Sequence, residues 1–311
     1  MSFTGMMLVA MALDLVLGWP DGLYRRIGHP VTWIGAVISG LERRWNIGPA
    51  PRRKLAGVAI LLVVAGGSGL LAWAVQTVLP GGVWGVLIGG ALAWPLVALR
   101  SMHDHVMAVV RPLEAGDLPA ARHAVSMIVG RDPNRLDRAG VTRAALESLA
   151  ENTSDGIVAP LLWGALLGLP GIAAYKAVNT LDSMIGHRTE RYQQVGWASA
   201  RFDDLVNLAP ARLTGVLFAL VSDRTRHALR IMWRDAGQHR SPNAGWPEAA
   251  MAGALRVRLS GPRAYAATVT DEPWVNGDDP DPVVPDLRRA LALYRWALIG
   301  LAAGFAGMML V

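Results

Sequence analysis

The sequence predicts an all-α, polytopic integral membrane protein with cytoplasmic helical segments and broken or re-entrant apolar helices. Of its 311 residues, 52% are hydrophobic and 17% charged, with a mean hydropathy of +0.31. That balance is too apolar for an ordinary soluble domain and too charged for a simple channel bundle. Several apolar runs approach the roughly 20 residues that a bilayer-crossing helix needs. Between them, from Gly130 to about Arg212, acids, amides and arginines recur beside apolar stretches. Burying such groups costs roughly several kcal/mol for each one left unpaired, so a chain that keeps them there uses them.

The first apolar stretch, residues 6–17, has no basic region before it and no small-residue cleavage site after it, so no cleaved signal peptide is expected. Asp14 within it either sits near an interface and caps a turn, or faces the bundle interior. Residues 55–79 and 83–99 are clear spanning candidates, and the breaker Pro80-Gly81-Gly82 joins them as a tight hairpin. Residues 112–152 read as two soluble helices parted at Asp132-Pro133-Asn134. There Leu136, Val141, Ala145 and Leu149 keep a helical apolar stripe.

Two further apolar segments are interrupted. Residues 157–174 carry Pro160, Gly164, Gly168, Pro170 and Gly171, and residues 205–221 carry Asn207, Pro210 and Arg212. Such breaks are tolerated at membrane depth where they line protein or a wet cavity. Residues 241–245 and 271–285 are loops, and residues 291–311 form a third spanning candidate. The chain divides into an N-terminal membrane region (1–111), a motif-bearing middle (112–222), and a cytoplasmic loop region with a C-terminal span (223–311).

Arginine placement orients this arrangement. Arg25, Arg26, Arg43, Arg44, Arg52, Arg53 and Lys54 precede the hairpin, and Arg100 and Arg111 follow it, so both flanks should be cytoplasmic. A full crossing at 157–174 would separate the polar motifs on its two sides; a re-entrant or deeply buried helix there keeps them together. The net charge of +6 is almost wholly arginine, and no basic stripe with interleaved aromatics or zinc spacing supports a nucleic-acid partner. The absence of cysteine excludes disulfides, thiolate metal sites and cysteine nucleophiles.

Three polar clusters carry candidate chemistry. Arg143, Glu147, Glu151 and Asp155 follow one another at i+4 spacing, with Asn152 beside them. They form either an exposed Arg–Glu ladder or, given the switch into apolar sequence after Asp155-Gly156, a catalytic set at a membrane mouth. Lys176, Asn179, Asp182 and Ser183 share a helical face suited to phosphate or metal-phosphate binding, with helix capping as the plain alternative. Asp203-Asp204, with Asn207 and then Arg212, suits an oxygen-coordinated divalent ion, although acidic pairs also cap helices. Asn243 and Trp246 lie in the polar stretch SPNAGW, where a flat ligand can stack. His29, His103 and His105 rank below these as ligands, and the tryptophans fit interface belts first.

The strings GRDPNRLD, ESLAENTSDGIVAP, YKAVNTLDSMIG, ARFDDLVNLAPARL and SPNAGWPEAAMAGAL, with LDLVLGWP and HPVTWIG near the N-terminus, resemble the CobD/CbiB family of cobalamin biosynthesis proteins, the adenosylcobinamide-phosphate synthases. The resemblance implies a multi-pass inner-membrane ligase with its site facing the cytoplasm. Its substrates would be adenosylcobyric acid and aminopropanol phosphate (or aminopropanol), joined as an amide with ATP and Mg²⁺. Other enzymes of that pathway, or a second copy of the chain, are the protein partners this implies.

The residue chemistry is compatible with that reaction. A carboxylate must be activated before an amine displaces its oxygen; ATP with Mg²⁺ can make an acyl phosphate, and electrostatic clamps carry most of the help. Glu147, Glu151, Asn152 and Asp155 are the catalytic candidates, one carboxylate deprotonating the ammonium nucleophile. Lys176, Asn179, Ser183, Asn207, Arg212, Asn243 and Trp246 are the substrate and phosphate candidates, and Asp182, Asp203 and Asp204 the metal ligands. No P-loop is present, so ATP would need a non-standard site. A Mg-dependent membrane prenyl or alcohol transferase would also use the DDLVN acids, but a second Asp-rich motif is missing. A corrinoid-binding transporter or scaffold would suit the broken segments but not the density of acids.

Overall fold

The computed structural model describes residues 1–129, 133–265, 268–270 and 272–310. In chain order its helices are α1 (Phe3–Leu17), α2 (Asp21–Ile27), α3 (Pro30–Trp45), α4 (Ala50–Leu61), α5 (Gly67–Thr77), α6 (Gly82–Ala93), α7 (Leu99–Glu114), α8 (Leu118–Ser126), α9 (Arg138–Thr153), α10 (Ala159–Leu167), α11 (Leu169–Ile185), α12 (Trp197–Val206), α13 (Leu208–Leu220), α14 (Thr225–Asp235), α15 (Gly245–Leu255) and α16 (Val284–Met308). The short strands are β1 (Leu259–Ser260), β2 (Arg263–Tyr265), β3 (Thr268–Thr270) and β4 (Trp274–Val275). β1 pairs antiparallel with β4, and β2 with β3. The architecture is otherwise helical, as composition and periodicity predict.

Local chemistry sets many helix starts. Ser2, Asp117 and Asp137 accept the N–H groups of Gly5, Ala120 and Gly140 at 3.1, 3.0 and 2.7 Å, satisfying donors that the first helical turn leaves free. At α3, His29 and Thr32 cap reciprocally and Pro30 opens the helix. The break expected at Asp132-Pro133-Asn134 does separate α8 from α9, with Asn134 in a turn. Gly130, Arg131 and Asp132 of the string GRDPNRLD lie outside the described residues, as do Asp271 and Val311. Pro112 lies inside α7 rather than at a helix start.

Among the described residues, three helical stretches are long and apolar enough to cross a bilayer: Ala50–Thr77, Gly82–Glu114 and Val284–Met308. A fourth is possible if α1 and the stretch Asp21–Trp45, bent by 109°, count together. The last span starts earlier than the apolar run alone indicates. Its first turn accommodates charge because Asp286 accepts the Val283 N–H at 2.9 Å and pairs with Arg289 at 2.7 Å.

The chain forms two compact units, each discontinuous in sequence, so neither matches the three contiguous regions drawn from hydropathy. The first unit comprises Met1–Ala98, Ala159–Asn207 and Gly304–Val311; the second comprises Leu99–Val158 and Leu208–Ala303. Within the first, α5 packs on α11 and α6 on α1. The arms joined at Pro80-Gly81-Gly82 therefore have other helices as their main partners and do not form the tight hairpin expected. Asp14 is 4% exposed, which selects the interior reading.

Residues 157–174 do not form one helix. A π-helical turn covers Ser154–Val158, α10 follows, and Gly168 ends it with φ +73°. The chain then reverses so that α11 packs on α10. A left-handed residue without a Cβ is needed there, and a Cβ at Gly168 would also collide with Gln76, whose Oε1 accepts the Leu169 N–H at 2.8 Å. Ile38, Ile60, Val64, Val178, Leu181 and Ile185 form an apolar cluster behind α11. In the second unit, α15 is buried along its length and its small residues let α14 approach, Gly253 lying against Ala228.

Candidate functional site

The first unit gathers a polar face between α11 and α12. The Tyr175 hydroxyl donates to Asn207 Oδ1 at 2.8 Å, and Asn207 Nδ2 donates to Asp203 Oδ2 at 2.9 Å and to the Asp203 carbonyl at 3.1 Å. Asn207 is 1% exposed and its amide is used on both sides. Both ends of its side-chain amide are thus engaged within the protein, by Tyr175 and by Asp203. Asn207 is the C-cap of α12, directly before the start of α13.

Asp203 is the electrostatic centre of this face. Burial, reinforced by Asp182 and Asp204, pushes its carboxyl up to about 7, while the amides of Asn207 and Asn179 pull the other way. Burial and Asp204 also raise Asp182, against a smaller opposite effect of His187. Burial raises Asp204, opposed by Arg201 and Arg188. Asp203 Oδ1 is buried and has no hydrogen-bond partner among the described residues. Among those residues no group of three or more His, Asp or Glu is arranged to hold a metal, so the three aspartates are not a complete protein cage. Magnesium takes one or two carboxylates and fills its remaining positions with water and substrate phosphate. The orphaned carboxylate oxygen fits that partial type of site.

Lys176, Asn179 and Ser183 lie on α11 beside these acids. Ser183 is exposed, with its hydroxyl donating to the Asn179 carbonyl at 2.9 Å. An ammonium, an amide and a hydroxyl at one-turn spacing are a donor set compatible with phosphate oxygens.

The second unit holds α9 and the π-turn after it. Glu147 is 6% exposed and its Oε1 accepts the Ser260 N–H at 2.9 Å. Arg143 is engaged by Asp281 and lies 4.6 Å from the Trp274 ring centroid, so the exposed Arg143–Glu147 ladder is replaced by contacts to a distant loop. Glu147 is thus buried and engaged with the Ser260 main chain. Glu151 and Asn152 are exposed, Asn152 Nδ2 donating to the Ser148 carbonyl at 2.9 Å, and Asp155 lies half-buried in the π-turn. π-turns interrupt regular helix hydrogen bonding and recur at functional positions.

Sequence reasoning missed the partners of Glu147. Ser260 adopts a left-handed conformation (φ +58°). Its hydroxyl donates to Glu248 Oε2 at 3.1 Å, and Glu248 Oε1 lies 3.7 Å from His239 Nε2. All are buried. The one available signal was Glu248 inside the apolar string WPEAAMAGAL; Ser260 and His239 offered none.

Also in the second unit, the Arg212 guanidinium lies 4.4 Å from the Trp246 ring centroid. Trp233, another residue not anticipated, meets Trp246 edge to face at 4.9 Å. Trp246 lies in the first turn of α15 and not in a loop, and its half-buried ring is flanked by these two neighbours. Asn243 is 5% exposed, just before α15, and its N–H donates to Ser241 Oγ at 3.2 Å. Thus Lys176, Asn179, Asp182, Ser183, Asp203, Asp204 and Asn207 belong to the first unit. Glu147, Glu151, Asn152, Asp155, Arg212, Asn243 and Trp246 belong to the second.

Comparison with known proteins covers nearly the whole chain. The family model described as CobD/Cbib protein matches residues 7–294. The cobalamin biosynthesis protein CobD of Rhodobacter capsulatus is 68% identical over 301 residues, covering 97% of this chain and 96% of that protein. The proteins of the same name from Sinorhizobium fredii and Brucella suis are each 44% identical, over 313 and 310 residues, covering 98% and 95% of this chain and 96% and 93% of theirs. No solved structure matches the chain.

Proposed function

The chain belongs to the CobD/Cbib family, and from that premise we propose that it is a cobalamin biosynthesis enzyme that joins adenosylcobyric acid to aminopropanol phosphate, or aminopropanol, through an amide bond. Family membership across residues 7–294 is the observation that carries this reading. ATP and Mg²⁺ would supply the activation of the corrin carboxylate and the neutralisation of phosphate charge.

The chain's own groups take the remaining tasks. Asp182, Asp203 and Asp204 would hold the metal, supported by the orphaned Oδ1 of Asp203; Asn207 and Tyr175 keep that carboxylate oriented. Lys176, Asn179 and Ser183 of the first unit would present donors to phosphate oxygens, and Arg212 is a separate cation candidate within the second unit. Glu151 and Asp155, less buried than Glu147, would take the proton from the ammonium nucleophile and orient it. Glu147 fixes the Ser260 turn.

The protein would be a multi-pass protein of the inner membrane with its site open to the cytoplasm. The arginine-rich flanks support this, as does the reversal at Gly168. At 1.5 Å per residue α10, nine residues long, is about 14 Å in length, well short of the ~30 Å hydrocarbon core. A re-entrant placement of α10 and α11 therefore suits residues 157–174.

Mass spectrometry of corrinoids tests the reaction: purified protein is incubated with adenosylcobyric acid, ATP, Mg²⁺ and either amine. A corrinoid heavier by the condensed amine, formed with ATP and absent without it, is expected. Unchanged adenosylcobyric acid with both amines would refute the ligase assignment.

A further inference from the structure

α11 and α12 meet in a consistent antiparallel register. Tyr175 bonds to Asn207, Asn179 reaches Asp203 one turn along, and a Cβ at Gly196 would strike the Ile185 carbonyl at the far end. The turn between the last two contacts places Ser199 of α12 opposite the turn of α11 that carries Asp182 and Ser183. Ser199 also precedes Asp203 by four residues, and so shares its helix face.

The Ser199 side chain, like that of Ser154 in the π-turn, differs from the helical hydroxyls that bond back along their own helix. Thr142, Thr153, Thr180, Ser183 and Thr214 each donate to the carbonyl four residues earlier. Ser199 is 0% exposed, and its Oγ has no hydrogen-bond partner among the described residues. Leaving a buried hydroxyl unmatched is unfavourable, because it forfeits its hydrogen bonds to water. One turn away, Asp203 Oδ1 is buried and likewise unmatched. Two buried oxygens on one helix face, neither with a hydrogen-bond partner among the described residues, fit a hard cation that accepts hydroxyl and carboxylate ligands together.

We propose that Ser199 Oγ is a ligand of the divalent cation held by Asp182 and Asp203, making the α11–α12 pair a mixed hydroxyl–carboxylate site. This rests on the reading of those aspartates as metal ligands. Asp182, Asp203 and Asp204 do not by themselves form a group arranged to hold a metal among the described residues, and a serine ligand would add to that incomplete set.

The test uses the purified full chain in detergent, with Mn²⁺ binding followed by loss of the free-ion electron paramagnetic resonance signal, with and without ATP. Ser199→Ala should weaken Mn²⁺ binding about 10-fold or more, and Ser199→Thr should retain it. The chain has no cysteine, so Ser199→Cys gives a clean second arm. Its thiolate should bind Cd²⁺ with an ultraviolet charge-transfer band that Asp203→Asn abolishes and that a Ser154→Cys control lacks. Wild-type Mn²⁺ affinity in Ser199→Ala, with binding lost in Asp203→Asn, would overturn the role of Ser199 and leave the aspartates as ligands. No Mn²⁺ binding to the wild-type chain under either condition would overturn both.

Discussion

Asn207 donates to Asp203 twice, once to the carboxylate and once to the main-chain carbonyl, while accepting from Tyr175. This buried clamp fixes which carboxylate oxygen of Asp203 stays open. Asn207→Ala should cost about 1–3 kcal/mol in stability by stranding its partners. It should also raise the Mg²⁺ concentration needed for activity about 10-fold or more. Tyr175→Phe, which removes one donor, should do less of both. Equal Mg²⁺ requirements in Asn207→Ala and wild type would show that the clamp does not set the carboxylate.

The raised carboxyl of Asp203 links stability to pH. Its ordinary value is 3.8 and its folded value about 7, so the folded state holds the proton more tightly than the unfolded state. The metal-free protein should therefore be most stable below about pH 4 with respect to this group, and lose stability as pH rises to about 7. The slope is at most about 1.4 kcal/mol per pH unit. In EDTA, Asp203→Asn should flatten the change in thermal midpoint between pH 5 and pH 8. A wild-type profile equal to that of Asp203→Asn would contradict the shift.

Glu147 and Glu151 should separate by phenotype although they lie one turn apart. Glu147→Gln weakens a buried acceptor of the Ser260 N–H and should lower the thermal midpoint. Glu248→Gln, on the Ser260 hydroxyl, should behave the same way. Glu151→Gln and Asp155→Asn should abolish turnover while leaving the thermal midpoint near wild type. Full activity in both of the latter would remove them from the chemistry.

Gly168→Ala should destabilise the fold by at least about 1–2 kcal/mol, because the residue sits at φ +73° where a Cβ is strained. Combining it with Gln76→Ala removes the collision but not the strain, so thermal denaturation should show partial rescue at most. Complete rescue would make the side-chain collision the whole cost.

Sidedness is testable at exposed positions. Thr189 and Gln193 are both exposed, and single cysteines there meet no native thiol. Impermeant maleimide should label them in inside-out vesicles and not in intact cells. Labelling of Thr189→Cys from outside would place the turn after α11 across the membrane.

The amino-acid sequence by itself determined the helical class, the apolar stretches and the motif positions, because hydrophobic periodicity, capping residues and i+4 spacing are local. It also showed that residues 157–174 are interrupted, since Gly168 and Pro170 are local breakers. Which groups are buried was a tertiary decision. Glu147 and Ser260 are 113 residues apart and Arg143 and Asp281 are 138 apart, so spacing along α9 suggested a surface ladder where the fold made interior contacts. Asn207 became a clamp because Tyr175, on a different helix, meets it from the other side. The carboxyl of Asp203 rises for the same reason: burial and the neighbouring Asp182 depend on how α11 and α12 pack, and helix packing is written in three-dimensional complementarity that no single segment contains.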